Sequence, residues 1–350
     1  MKKLKLLTLA STLISTVDVF TAVNIGKQAE AIVVTGNPND YIVPRGIGDG
    51  IVELRLNPNG NALLCTGSLL PTGLHILTAA HCLTENKIPG TIDVENVRVN
   101  FDLLTGRNSV ESSTYYIHPG WNGDVSNAND IAIIGLDTLA AIEADRYNIY
   151  RGGDELGQNF TVVGYGLSGN GKTGSDPINF PGGIKRYGRN TYDYDSYLRN
   201  REANAFKVLG YDFDSGLERN NNPPGDTGLG IDEVISAPGD SGSPALINGL
   251  ITGIASFDTR LQQGRADVND RIDSSFGEIS YNTRVSYYAN FINDVLAGKI
   301  AATRTVPEPS TVLGTVFTLS ALTISSHFKK KVKQKLCSLS DQTLDTAGNT

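Results

Sequence analysis

The chain is poor in histidine and cysteine, with four His and three Cys in 350 residues. His75, His81, His118 and His327 stand apart from Cys65, Cys82 and Cys337, so no Cys/His cluster of the zinc-binding kind is present. No metal is therefore expected from these residues. The sequence also has no glycine loop of the phosphate-binding type and no repeat of fixed period. Charged residues make up only 19%, and positive charge is in deficit, with a net charge of −7. Because both ends are lysine-bearing, the middle of the chain is more acidic than the whole. That excludes the basic face a phosphate backbone requires, so nucleic acid is not an expected partner. Neither apolar stretch near the ends, 6–17 nor 311–326, reaches the ~20 residues of a full membrane span.

Glycine, by contrast, is abundant (38 residues), and hydrophobic residues account for 39%. That balance favours a turn-rich β protein over a helical bundle, and the length allows two compact domains. Short apolar or alternating runs recur between Gly, Asn and Pro punctuation: IVELRLN, ALLCTGSLL, HILTAAH, VRVNF, IAIIGL, FTVVGYG, GLITGIASF and GEISYNTRV. Each reads as a strand bounded by turns. A divide falls near 145–155, and the polar stretch 168–228 reads as extended surface loops. One helical pattern stands near the end, where Tyr288, Phe291, Ile292, Val295 and Leu296 recur at helical spacing and Gly298 stops them.

The N-terminus has a basic start (Lys2, Lys3, Lys5), an apolar stretch and the small-x-small triplet Ala29-Glu30-Ala31. This is the pattern of a secretory signal peptide over 1–31. One disulfide plus a leftover thiol in the tail fits such an exported chain; three free thiols in a cytosolic protein is the alternative.

The segment CTGSLLPTGLHILTAAHC, 65–82, has a turn signal, PTGL, between two strand-like runs. If the hairpin is centred between Gly73 and Leu74, Cys65 falls opposite Cys82, within disulfide reach. A bridge there would pin the segment carrying His81. In NDIAIIGLD, Asp130 directly precedes an apolar strand. A carboxylate entering a core needs a partner, and the imidazole of His81 would supply one. Asp124 and Asp137 compete for that role, one in a loop and the other after the strand. The third piece is GDSGSP, 239–244. A serine there is a nucleophile only if a base, a group orienting that base and oxyanion donors surround it.

LTAAHC, NDIAII and GDSGSP, in that order, resemble the chymotrypsin–trypsin family of serine peptidases, with weaker echoes in VVGYG, ITGIASF and YNTRVSYYANFI. The resemblance covers roughly 32–299. It implies an all-β fold of two six-stranded antiparallel Greek-key barrels with a C-terminal helix. The first barrel, 32–150, would carry His and Asp; the second, 151–299, would carry Ser. It further implies Ser241 as nucleophile, His81 as base, Asp130 as its orienting group, and the backbone N–H groups of Gly239 and Ser241 as oxyanion hole. Family members activate when a new N-terminal amine pairs with the Asp before the nucleophile, here Asp240. Ile32 follows the signal site and would supply that amine; Arg45-Gly46-Ile47 is a rival cut.

By the same resemblance Ile235 lies at the base of the specificity pocket, with Ser256, Phe257 and Asp258 on its wall. Ile235 argues for an apolar pocket, while Asp258 at the rim would favour basic residues. The expected partner is a polypeptide substrate, no cofactor is expected, and the chain is expected to be a monomer. Ca²⁺ is the one cation considered, at 211–218, where Asp212, Asp214, Ser215 and Glu218 offer oxygens; a solvated acidic loop is the plainer reading.

The C-terminal Pro307-Glu308-Pro309, the apolar run and Lys329, Lys330, Lys331, Lys333 and Lys335 resemble the PEP-CTERM sorting signal of bacterial exported proteins. That implies a linker at 300–310, a sorting or anchor segment at 311–335, a tail at 336–350, transient membrane association and a sorting protease as partner. A plain tail anchor is the alternative. For the whole chain, the reading that competes with a peptidase is a catalytically inactive protease-like module of the cell envelope.

Overall fold

The computed structural model describes residues 32–57, 63–84, 91–197, 205–221, 227–260 and 266–305. The signal segment 1–31, the Pro307-Glu308-Pro309 motif, the sorting segment 311–335 and the tail with Cys337 lie outside the described residues.

Seventeen strands and one α-helix make up the described fold. After β1 (Val33–Val34), six strands build the first half: β2 (Ile51–Leu56), β3 (Leu63–Leu69), β4 (His75–Thr78), β5 (Val97–Leu103), β6 (Gly106–Ile117) and β7 (Ala132–Leu136). They pair in the order β6-β5-β2-β3-β4-β7, and β6 also pairs with β7, so the sheet closes into a barrel. Inward-facing Leu54, Leu69, Val99, Phe101 and Ile133 are fully buried in its core. Burial of such side chains contributes roughly 1.5–3 kcal/mol each.

The second half follows with β8 (Asn159–Gly164), β9 (Gly169–Asn170), β10 (Gly174–Ser175), β11 (Arg186–Thr191), β12 (Val208–Asp212), β13 (Val234–Ile235), β14 (Pro244–Ile247), β15 (Leu250–Thr259) and β16 (Ile279–Arg284). Six of these form one sheet in the order β11-β8-β14-β15-β16-β12. Its two edges meet through one isolated antiparallel bridge, Tyr194–Gly210. The expectation of two six-stranded barrels therefore becomes one closed barrel and one half-barrel of six strands. The second curls without a continuous ladder across its seam.

Helix α1 (Ala289–Leu296) follows, with Gly298 at φ +68 ending it. Its buried face, Tyr288, Phe291, Ile292 and Val295, belongs to the large cluster that holds the first barrel's core together with Leu246, Ile251 and Ile254 of the second half. Strand β17 (Arg304–Thr305) then pairs with β6. Residues expected to be linker thus extend the first barrel's sheet. The reverse crossing occurs at the other end. Val33 pairs with Ile235 and with Gly169, and Ile32, Val33 and Val34 lie in the second core although they precede the first barrel in sequence.

The stretch 168–228 holds four strands, β9 to β12, where the sequence suggested surface loops. The reason is visible in β11, whose buried positions are Arg186, Gly188 and Asn190 while Tyr187 and Arg189 face outward. Its inward residues are polar or small, so the apolar alternation that announces a strand is absent. Asn190 is used structurally, its amide donating to Asp212 O at 2.7 Å and Val234 O at 2.8 Å.

The β3–β4 hairpin pairs Ser68 with Leu77 and Leu69 with Ile76, which centres it between Thr72 and Gly73. In that register Cys65 would face Ala80. The bridge Cys65–Cys82 nevertheless forms, with Cα atoms 6.4 Å apart, because a 3-10 turn over Ala80–Cys82 brings Cys82 back toward β3. Replacing both cysteines with serine is expected to lower stability by about 3 kcal/mol, given the length of the loop the bridge closes. Urea denaturation without reductant measures this, and an unchanged midpoint would show that the bridge carries no stability.

Candidate active site

His81 sits in the short turn that follows β4, pinned from one side by the disulfide. Asp130 reaches it from the segment before β7. Ala128 and Asn129 both adopt positive φ (+59 and +62), and the turn they make leads into the buried Asp130. Asn tolerates that region better than most residues, and the Asn129 N–H donates to the Tyr288 hydroxyl at 2.9 Å. Asp130 is fully buried. Its Oδ1 accepts from the His81 backbone N–H at 2.9 Å, and its Oδ2 lies 2.7 Å from His81 Nδ1. The Ser256 hydroxyl also donates to Oδ2, at 2.5 Å, and the Thr283 hydroxyl donates to the Asp130 carbonyl at 2.8 Å.

Burial opposes the charge on Asp130, but the His81 ring, its hydrogen bonds and the Ser256 hydroxyl outweigh burial and hold the carboxyl below its ordinary value. The two competing aspartates serve local structure. Asp124 caps the turn Val125–Asn127 through the Ser126 N–H, and Asp137 accepts from the N–H and hydroxyl of Ser113. His75 pairs with the Thr72 hydroxyl, and His118 packs edge-on against Tyr288 and Phe291.

Ser241 arrives from the second half on the turn before β14, and backbone contacts seat it beside His81's hairpin. Its carbonyl accepts from the Thr66 N–H at 2.8 Å and lies 3.6 Å from Cys82 Sγ, one residue past His81. Gly242, at φ +85, allows this approach, since a Cβ there would stand 2.2 Å from both Thr66 O and Thr78 Oγ1. Gly239, at φ +101, turns the chain against Gly166, and its carbonyl accepts from the Thr66 hydroxyl at 3.1 Å.

Within this turn the N–H groups of Asp240, Gly242 and Ser243 donate to Ala237, Ala255 and Asp240 carbonyls. Among the described residues those of Gly239 and Ser241 take no acceptor. Two neighbouring amides without internal partners are what an oxyanion site offers. Thr66 and the second role of Ser256 were missed in the sequence, because a single hydroxyl inside an apolar strand carries no pattern.

Asp240 is fully buried and accepts from the N–H groups of Gly166 (2.8 Å) and Ala237 (2.9 Å). Two residues beyond Gly166, the Ser168 hydroxyl donates to the Ile32 carbonyl. Burial pushes Asp240 up to about 7 despite those amides, and the same cause raises Asp258 to about 6 and Glu278 to about 8. The unfolded chain ionises these groups near their ordinary values, so the folded chain binds more protons between about pH 4 and 8. Stability therefore falls as pH rises through that window. Asp130, shifted downward, stays ionised at pH 5 and does not offset the trend. The unfolding free energy of the uncut chain, from urea denaturation, is expected to be higher at pH 5 than at pH 8, by on the order of 2–3 kcal/mol from Asp240 alone. Equal or lower stability at pH 5 would contradict this assignment of protons.

The expected specificity residues separate. Ile235 is fully buried opposite Val33 in the second core, so it has no exposed surface to offer a substrate. Phe257 stacks on Tyr281 and meets Tyr197 edge-on. Asp258 accepts from the hydroxyls of Ser236 (3.1 Å) and Ser274 (3.4 Å). In the acidic loop, Ser215 donates to Asn220 and the Asp214 N–H to Glu233. Among the described residues no cluster of three or more His, Cys, Asp or Glu is arranged to hold a metal.

Residues 48–181 match the Trypsin family model. That stretch contains His81 and Asp130 and ends before Ser241. No curated protein matched the chain. The match covers less than half of the chain, and the closed barrel with its half-barrel is consistent with a chymotrypsin-like double-barrel fold.

Proposed function

We propose that the chain is an exported serine endopeptidase acting through His81, Asp130 and Ser241. The observation that carries the reading is the buried Asp130 carboxylate, which holds both the backbone and Nδ1 of His81 beside the turn bearing Ser241. With Nδ1–H committed to Asp130, Nε2 is the basic nitrogen of the ring. It takes the Ser241 proton as the oxygen attacks the substrate carbonyl, and later gives that proton to the leaving amine. Asp130 stabilises the imidazolium between those steps. The N–H groups of Gly239 and Ser241 receive the oxyanion, and water then releases the acyl group.

Fluorophosphonate treatment tests this. A single adduct, mapped to the peptide containing 239–244, is expected on folded protein and absent from unfolded protein. Absence of an adduct on folded, disulfide-bonded protein beginning at Ile32 would favour the inactive binding module.

The mature N-terminus is proposed to be Ile32. This residue is buried beside the segment that binds Asp240, and it holds φ at +122, a strained value for a β-branched residue. The strain exists only while a peptide bond precedes it. Cleavage removes the constraint and creates an amine that can neutralise a carboxylate otherwise buried at high cost. N-terminal sequencing of the exported form is expected to begin at Ile32; a start at Ile47 would point to the Arg45 cut instead. The disulfide suits an oxidising compartment. Sorting and transient membrane association through 311–335 remain part of the same proposal, tested by whether the exported protein retains peptides from 311–335.

A further inference from the structure

We propose that Thr66 is a positioning residue: its hydroxyl holds the Gly239 backbone so that the Gly239 N–H stays open to receive the oxyanion. This rests on the serine-peptidase reading and adds to the same site a residue from the other half of the molecule.

Thr66 lies on β3 of the first barrel and is fully buried. It meets both residues of the turn whose N–H groups take no acceptor among the described residues. Its backbone N–H donates to the Ser241 carbonyl at 2.8 Å, and its hydroxyl donates to the Gly239 carbonyl at 3.1 Å. A hydroxyl has one proton and two lone pairs. The Gly239 carbonyl only accepts, so the proton is committed there, while a lone pair accepts from the Tyr165 N–H at 3.1 Å. Both partners of the hydroxyl belong to the second half, Tyr165 directly after β8 and Gly239 in the turn before β14. The Thr66 carbonyl is fixed within the first barrel, accepting from the Thr78 hydroxyl at 2.8 Å.

The turn that Thr66 meets is otherwise held by backbone groups. The Pro238 carbonyl accepts from the Leu167 N–H at 2.8 Å, the Asp240 carbonyl from the Ser243 N–H at 2.7 Å, and the Ser241 carbonyl from the Thr66 N–H. Of these successive carbonyls only that of Gly239 depends on a side-chain donor. It also belongs to the residue with least steric guidance. Gly239 stands at φ +101, and a Cβ there would lie 2.8 Å from the Gly166 Cα, so no side chain can fix its torsions. Its conformation is set from outside. Leu167 holds the peptide before it. The peptide after it is held at both ends, by the Thr66 hydroxyl on its carbonyl and by the Ala237 carbonyl on the Asp240 N–H, at 2.9 Å.

Without the hydroxyl, the part-buried Gly239 carbonyl loses its donor. Rotation about the glycine's own torsions relieves that loss and re-aims its N–H. Oxyanion donors work by being aimed before charge develops, so an N–H that must first turn back slows the chemical step and leaves substrate binding alone. Cys65 and Thr66, neighbours on β3, thus serve the two sides of one reaction. The first pins the His81 segment through the disulfide, and the second pins the Gly239 turn.

Thr66→Val keeps the shape of the side chain and removes the oxygen. On a fluorogenic peptide its kcat is expected to fall at least about 30-fold, with KM changed less than about 3-fold. Thr66→Ser, which restores a hydroxyl, should return kcat to within about 3-fold of the unaltered protein. Affinity for a peptide boronate, whose tetrahedral adduct presents an oxygen to the oxyanion amides, should fall in step with kcat/KM. A hydroxyl that only ties the halves together would lower the urea midpoint of Thr66→Val and leave kcat of the folded protein unchanged. That outcome overturns the proposal, as does failure of serine to restore kcat. Thr66→Ala carries the same comparisons if valine prevents folding.

A crystal structure of the Thr66→Val protein separates this inference from the peptidase reading. Gly239 is expected to have rotated, so that its N–H no longer points with that of Ser241. Rotation supports the positioning role even where the unaltered protein hydrolyses no peptide. A Gly239 N–H in unchanged orientation overturns it even where hydrolysis is robust.

Discussion

Alanine at position 241 is expected to lower kcat/KM for peptide hydrolysis by about a millionfold, with the protein still folded. The loss is chemical. The contact that seats the turn uses the Ser241 carbonyl and the Thr66 N–H, both backbone groups, so alanine leaves it intact. The amides of Gly239 and Ser241, proposed to receive the oxyanion, also remain. What disappears is the hydroxyl that, in the proposed reaction, forms the acyl-enzyme. The residual rate, ~10³–10⁴ above water, should come from binding and from those amides. A fluorogenic peptide, assayed with protein from a host lacking background peptidases, measures the drop. Retention of more than about 1% of the activity would mean that Ser241 is not the nucleophile.

Asp130→Asn should cost about 10⁴ in kcat near neutral pH. The carboxylate meets three donors, the His81 N–H, the His81 Nδ1–H and the Ser256 hydroxyl, with two oxygens that only accept. An amide offers one oxygen and one NH₂. If the oxygen keeps the backbone N–H, the NH₂ faces Nδ1 and forces that nitrogen to accept. The proton then moves to Nε2, and the ring can no longer take the Ser241 proton. The Ser256 hydroxyl rotates away at small cost, so folding survives. Activity should partly recover at alkaline pH, where hydroxide replaces the missing base, whereas Ser241→Ala should not recover. If Asp130→Asn kept wild-type kcat, tautomer control would play no part in the reaction.

The pieces of this site differed in how openly the sequence carried them. His81 and Asp130 were legible because each stands at the end of an apolar run, where a polar side chain demands an explanation. Ser241 was legible because GDSGSP packs glycines around one hydroxyl. Their spatial contact also needed Ala128 and Asn129 at positive φ, which no residue pattern announced. Strands β2, β3, β5 and β7 were legible from apolar spacing, while β11 was hidden by its polar interior and β6 by charged and serine positions on its outer face. The hairpin turn was read one position late, because PTGL names a turn without fixing which two residues sit at its tip. The surroundings of Ile235 were hidden for a longer-range reason. Ile235 is committed to β1, a segment about two hundred positions away, and local sequence holds no record of that partner.

The two ends of the described fold cross over. β1, first in the described fold, joins the second half, while β17, last in it, joins the first. Each half is therefore an unfinished object until the other has been made. A nascent first barrel would wait for β17 until translation is nearly over, and isolated halves divided near residue 150 would each lack a piece held by the other. Heating should then melt the two halves in one calorimetric transition. Separation of the cleft, which would leave His81 and Ser241 on different bodies, becomes equivalent to unfolding.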